Sequence, residues 1–217
     1  MHTAYWILLG AVLGTGCGCG ALFWAYRMLR ARKREEWLSP TIQRILIIAA
    51  GICGGGIGFC TGRWLPLLFL LAVFTVGMAV AVSDWLCSII PNPTVLTVLG
   101  LKIVLIAAAL LHLPSAPSFS VLSALGGMTF CFLVFSAPSL MGKRIGAGDI
   151  KLAAAMGFLL GFGDSLLAIF FMGLLMLAYC VFQRKMPLLA FLKTNIPMGP
   201  FIAAGMMIAC ALPYLSL

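Results

Sequence analysis

The sequence predicts an all-α polytopic membrane protein with about eight transmembrane helices, on three observations. Of 217 residues, 63% are hydrophobic and 9% charged, against roughly 45–50% and about 25% in an ordinary soluble domain. Apolar runs near the ~20-residue length that crosses a bilayer recur from end to end, and the mean hydropathy is +1.16. The 14 Lys and Arg outnumber the 5 Asp and Glu, for a net charge of +9, and they gather at the ends of the apolar runs, where basic residues set topology. This composition excludes a soluble enzyme, a disordered chain and a secreted disulfide scaffold. It argues against nucleic acid as a partner, because no basic domain is left to bind it. The lipid bilayer is the expected surrounding.

The expected spans follow in order. The first covers about 5–26, with Arg27, Arg30, Arg32, Lys33 and Arg34 behind it. A cleavable signal peptide carries its positive charges in front, so this reads as a retained span with its N-terminus outside. The second, about 45–61, contains Gly51, Gly54, Gly55, Gly56 and Gly58, small residues that let neighbouring backbones approach. The third covers about 66–83 and ends at Asp84; the fourth covers about 93–112; the fifth covers about 119–140. The sixth, about 150–161, is short, and Gly161-Phe162-Gly163-Asp164 turns it into the seventh, about 165–182. The eighth runs over about 197–215.

With the N-terminus outside, the inner connections and their flanks hold Arg27 to Arg34, Arg44, Lys143, Arg144, Lys151, Arg184, Lys185 and Lys193, while the outer ones hold Arg63. That asymmetry predicts eight spans with both termini outside. The eight cysteines include no Cys-x-x-Cys pair and fall almost entirely inside apolar runs, where they read as small buried side chains. No metal site and no cofactor is expected.

An ionisable residue at membrane depth is expensive and marks function by default. The acidic residues are Glu35, Glu36, Asp84, Asp149 and Asp164. The two glutamates sit in a basic loop, and an N-cap at the start of the seventh span accounts for Asp164. Asp84 and Asp149 fall at the inner ends of spans, on one side of the membrane. Two carboxylates at one face can share a proton, one activating water and the other protonating the substrate. Gly146 and Gly148 precede Asp149, where glycine permits unusual backbone angles and close approach of a substrate strand. The helix start favours an anion, which would make Asp149 the more easily ionised of the two. Pro91 leads a turn just past Asp84 and is expected to stop that helix.

Asp84-Trp85-Leu86-Cys87-Ser88-Ile89-Ile90-Pro91-Asn92 and Gly146-Ala147-Gly148-Asp149-Ile150-Lys151-Leu152-Ala153-Ala154-Ala155-Met156-Gly157 together resemble the bacterial type IV prepilin peptidases and their archaeal preflagellin relatives. Ile196-Pro197-Met198-Gly199-Pro200-Phe201 is similar to the segment that opens that family's last span. The resemblance covers roughly 65–215, and the Gly-x-Gly-Asp element is shared with presenilin-type intramembrane proteases. It implies a GxGD aspartyl protease-like fold and a membrane-embedded aspartic endopeptidase. Such an enzyme removes the leader of type IV prepilins or pilin-like proteins at the cytoplasmic face of the bacterial inner membrane. Asp84 and Asp149 match the family's catalytic pair. Gly146, Gly148, Pro91, Asn92, Lys151, Pro197, Gly199 and Pro200 match its motif positions. The implied substrate carries a short basic leader followed by an apolar helix. Bifunctional members carry a Cys-x-x-Cys domain between the first two spans; here that position holds only about 27–44, without cysteine. The expected organisation is therefore a helix pair with a short basic cytoplasmic loop over 1–64 and a six-helix peptidase core over 65–217, with no methyltransferase domain.

Two other readings use the same polar residues: a small transporter with a polar pathway through Lys102, Asp84 and Asp149, and a non-catalytic scaffold whose aspartates hold basic pilin leaders. Lys102 sits some 15 Å into the fourth span by helical rise. It reads either as bonded to backbone carbonyls or as recognising a carboxylate on a pilin helix. Lys143-Arg144 reads as a topology anchor.

Overall fold

The structure, a computed structural model, describes residues 2–34, 36–111, 120–140, 146–182 and 197–215. Among them are eight helices: α1 (His2–Ala31), α2 (Pro40–Thr61), α3 (Trp64–Cys87), α4 (Asn92–Leu110), α5 (Val121–Leu140), α6 (Ala147–Leu160), α7 (Phe162–Phe182) and α8 (Gly199–Leu215). Six are long and apolar enough to cross a membrane; α6 and α8 are shorter. The all-α polytopic reading stands. Lys143, Arg144, Arg184, Lys185, Lys193, Ile196 and Glu35, all used above, lie outside the described residues.

α3 is the central helix. About two-thirds (67%) of its apolar window is buried, against 17–33% in the other five long helices. On one side its Phe74, Met78, Ala79 and Val82 pack with Ala21, Leu22 and Ala25 of α1 and Ala50 of α2. On the other, Val73, Val76 and Val80 join Val98 of α4, Cys131 of α5, Met156 of α6, Ala168 of α7 and Ile202 of α8. Between lipid-exposed helices the driving force is tight packing rather than expulsion of water. Accordingly, small residues stand at the crossings. A Cβ on Gly14 of α1 would lie 2.9 Å from the Cα of Gly54 in α2. One on Gly157 of α6 would lie 2.6 Å from the carbonyl carbon of Gly127 in α5.

The helix ends differ from the expectations in ways that bear on the site. α3 continues through Asp84 and stops at Cys87, where Ser88 takes a left-handed conformation (φ 51°) and its N–H bonds the Asp84 carbonyl at 2.7 Å. The stop is thus a left-handed cap three residues before Pro91, which instead caps the start of α4. α7 begins at Phe162, so Asp164 is its third residue and not the N-cap; in the first turn it still complements the positive helix end. α6 and α7 are separate helices. Gly161 (φ 87°, ψ 178°) divides them in a region open essentially to glycine. The Phe162 N–H pins the turn to Ser123 Oγ at 3.1 Å.

Candidate active site

The C-terminal end of α3 and the N-terminal ends of α6 and α8 meet at one end of the bundle. The apolar run of α3 gives way to Ser83 and Asp84, and both are buried, Asp84 to 4% exposure. A buried carboxylate needs hydrogen-bond donors. The first four N–H groups of a helix have no partner inside it, and α8 supplies one: the Gly199 N–H donates to Asp84 Oδ2 at 2.7 Å. Gly199 fits here because a Cβ would stand 2.8 Å from both Asp84 Cβ and Oδ2.

Asp149 lies in the first turn of α6, its own N–H bonded to the Gly146 carbonyl at 3.0 Å. Asp149 Oδ1 is buried and has no hydrogen-bond partner among the described residues. Burial is the larger influence on Asp149, and Asp84 is near enough for the two carboxylates to interact electrostatically. Carboxylates from motifs 65 positions apart thus face one electrostatic environment, with one oxygen of the second left unsatisfied.

The two motifs also touch through apolar contact. A Cβ on Gly148 would lie 3.0 Å from Ile90 Cβ, and Ile90 is buried. Gly146 (φ −62°, ψ 129°) and Gly148 both avoid the left-handed region. The unusual backbone angles expected of them are absent. Their value is space: Gly148 makes room for Ile90, and a Cβ on Gly146 would stand 2.8 Å from Asp149 Oδ2. Ile90 is the residue that reading by chemistry missed. The signal was an apolar side chain directly before Pro91, inside a motif quoted for its polar members.

The remaining motif residues divide. Pro91 is buried, and its carbonyl accepts the Thr94 hydroxyl at 2.6 Å, which closes the first turn of α4. Pro197 and Pro200 are half-buried beside Gly199 in sequence. Asn92 and Lys151 are exposed, and among the described residues no hydrogen bond or ion pair joins either to a carboxylate. Lys102 is far from this end. Its Nζ donates to the Leu159 carbonyl at 2.9 Å, in the last turn of α6.

The sequence pattern of the type IV leader peptidase family matches residues 71–181. That is just over half of the 217 residues, from within α3 to the last turn of α7, and includes both carboxylates; Gly199 and α8 lie outside it. None of the curated proteins and none of the solved structures compared matches the chain. The chain belongs to the type IV leader peptidase family and is a multi-pass membrane protein of peptidase type that acts on a protein substrate.

Proposed function

We propose that the protein is an aspartic endopeptidase that removes the leader of type IV prepilins or pilin-like proteins, with Asp84 and Asp149 as its catalytic pair. The observation that carries this reading is the placement of the two carboxylates at one end of the bundle, near enough to interact, one bonded to a backbone amide and the other with an oxygen unsatisfied among the described residues.

The hydrogen bonds support a division of roles. Asp149 lies in the first turn of α6, where the helix end favours its charge by about 0.3–1 kcal/mol; Asp84 lies in the last turn of α3 against the start of α8, so the positive end of α8 is offset by the negative end of α3. The Gly199 N–H adds a charge-assisted bond to Asp84 alone, worth about 1.5–3 kcal/mol. Asp84 therefore keeps the negative charge, and Asp149 carries the shared proton, the reverse of the order that the α6 terminus alone suggests. Asp84 takes a proton from water as the water oxygen bonds to the scissile carbonyl carbon. Asp149 gives its proton to the carbonyl oxygen. As the C–N bond breaks, Asp84 passes its proton to the leaving nitrogen, and Asp149 recovers the one it gave.

The bias of Lys and Arg supports a site on the cytoplasmic face of a bacterial inner membrane, with both termini outside. The substrate, with a basic leader and an apolar helix, enters from the bilayer. In this reading 65–217 forms the six-helix peptidase core and 1–64 a helix pair. The short loop between α1 and α2 leaves no place for a methyltransferase domain there.

The test is coexpression with candidate pilins, with leader removal read by mass spectrometry. Asp84→Asn and Asp149→Asn each abolish cleavage, since neither carboxylate alone can serve as both base and acid. Substantial cleavage by either variant overturns the assignment. A scaffold or transporter would leave every pilin uncut by the unaltered protein.

A further inference from the structure

A second feature lies at the α1–α2 connection, on residues other than those of the proposed dyad and its motifs. Phe23, Tyr26, Arg27 and Arg30 recur at helical spacing on α1 and, with Trp37 from the connection, line a cavity of about 260 Å³. Trp37 is fixed from two sides. Its ring lies 4.5 Å from that of Tyr26, and the Arg30 guanidinium stands over it at 5.6 Å. The Tyr26 hydroxyl accepts the Leu38 N–H at 3.3 Å, and Gln43 Nε2 bonds the Leu38 carbonyl at 2.8 Å. The connection is thereby tied down around the cavity.

We propose that this cavity is a binding site for the headgroup of an anionic phospholipid. Three observations converge on that ligand. First, the charge is complementary: 27–44 holds Arg27, Arg30, Arg32, Lys33, Arg34 and Arg44 against Glu35 and Glu36. Two of these guanidiniums line the cavity, and planar guanidinium is suited to phosphate oxygens. Second, the cavity sits at the end of a membrane-crossing helix, where Trp and Tyr mark the interface and basic pockets hold lipid headgroups. Third, Phe23 continues the same face toward mid-membrane, 67% exposed, and offers an acyl chain an apolar wall below the phosphate. A soluble phosphate would use the arginines but gain nothing from Phe23. The lipid is the ligand that fits both halves.

The experiment is native mass spectrometry of the full chain in detergent, with phosphatidylglycerol and phosphatidylcholine of identical acyl chains. The unaltered protein retains phosphatidylglycerol over phosphatidylcholine. Arg27→Gln with Arg30→Gln weakens that retention about thirty-fold, which is about 2 kcal/mol for two arginines at the membrane surface. Arg32→Gln with Lys33→Gln removes equal charge from the same connection but not from the cavity, and retains the preference. Equal loss in both double variants means diffuse attraction and overturns the site. Equal retention of the two lipids overturns it as well, and so does full displacement by inorganic phosphate, which would show a headgroup-only anion site. If the arginine variant does not give a monodisperse protein, Trp37→Leu decides. It releases Arg30, and an unchanged lipid preference then overturns the proposal.

Discussion

Glycine does different things in the α1–α2 pair and at the end of the bundle that holds Asp84. Between α1 and α2, Gly14 and Gly54 bring two backbones together and nothing chemical follows: a Cβ on Gly54 would meet Gly14 Cα at 2.7 Å. At the other place Gly199 brings a backbone against a side chain, and its N–H reaches the Asp84 carboxylate at 2.7 Å. Space for a methyl group is lacking in both. What differs is the group on the far side of the gap: the backbone of the facing helix, Gly10 O and Gly14 Cα, in one region, a carboxylate side chain proposed to react in the other. Close approach is a packing device in the first and an electrostatic device in the second.

The comparison predicts that the two substitutions fail in different assays. Gly199→Ala drives a Cβ against Asp84 and shifts the carboxylate or the amide by a fraction of an ångström. Displacement on this scale costs catalysis up to about 100-fold. The expected result is a loss of that order in kcat for leader cleavage, with membrane insertion and unfolding midpoint nearly unchanged. Ordinary kcat in folded Gly199→Ala protein would sink the claim that this amide serves the site.

Gly54→Ala should do the reverse. Overpacking a tight contact costs about 1–3 kcal/mol, so the unfolding midpoint falls while cleavage per folded molecule holds. Gly56 on the same helix has nothing within 4 Å of a Cβ. Gly56→Ala should be neutral or gain up to about 1 kcal/mol in helix propensity. Equal destabilisation by both would show that helix flexibility, and not the α1–α2 contact, is what the glycines provide.

The sequence revealed these two regions unequally. The all-α architecture and the order of the helices followed from the apolar runs, because lipid leaves few alternatives to a helix; six of the eight described helices are long and apolar enough to cross a membrane. The glycine-rich run of α2 could be read as a packing surface, but Gly56 could not be separated from Gly54 without knowing which face meets α1. Asp84 and Asp149 stood out in the sequence as the two unexplained carboxylates, and the structure places them at one end of the bundle. The proposed division of labour between them was not legible. It rests on the Gly199 N–H, 115 positions from Asp84, and no local pattern announces a bond of that span. Helix ends were misjudged where a left-handed residue intervened: nothing in Ser88 marks it in advance as the cap of α3, whereas Pro91 advertises a stop that had already occurred.

Lys102 gives the smallest effect and the sharpest separation of structure from chemistry. Its Nζ holds the Leu159 carbonyl, one of the last carbonyls of α6, where a cation also complements the negative helix end. Asp164, Cys210 and Tyr214 share with it a cavity of about 150 Å³. Leu159 is ten residues along α6 from Asp149, about 15 Å at helical rise. The lysine can therefore steady α6 without touching the proposed dyad. Hydrogen bonds between membrane helices average about 0.6 kcal/mol and reach about 1.7, so Lys102→Met should lower stability by about 1 kcal/mol. The kcat for cleavage and its pH profile should stay within about two-fold, since the general acid–base groups are untouched. Asp164→Asn, at the same end, should behave alike. A large fall in kcat with unchanged stability would place Lys102 in the chemistry and revive the polar pathway through α4.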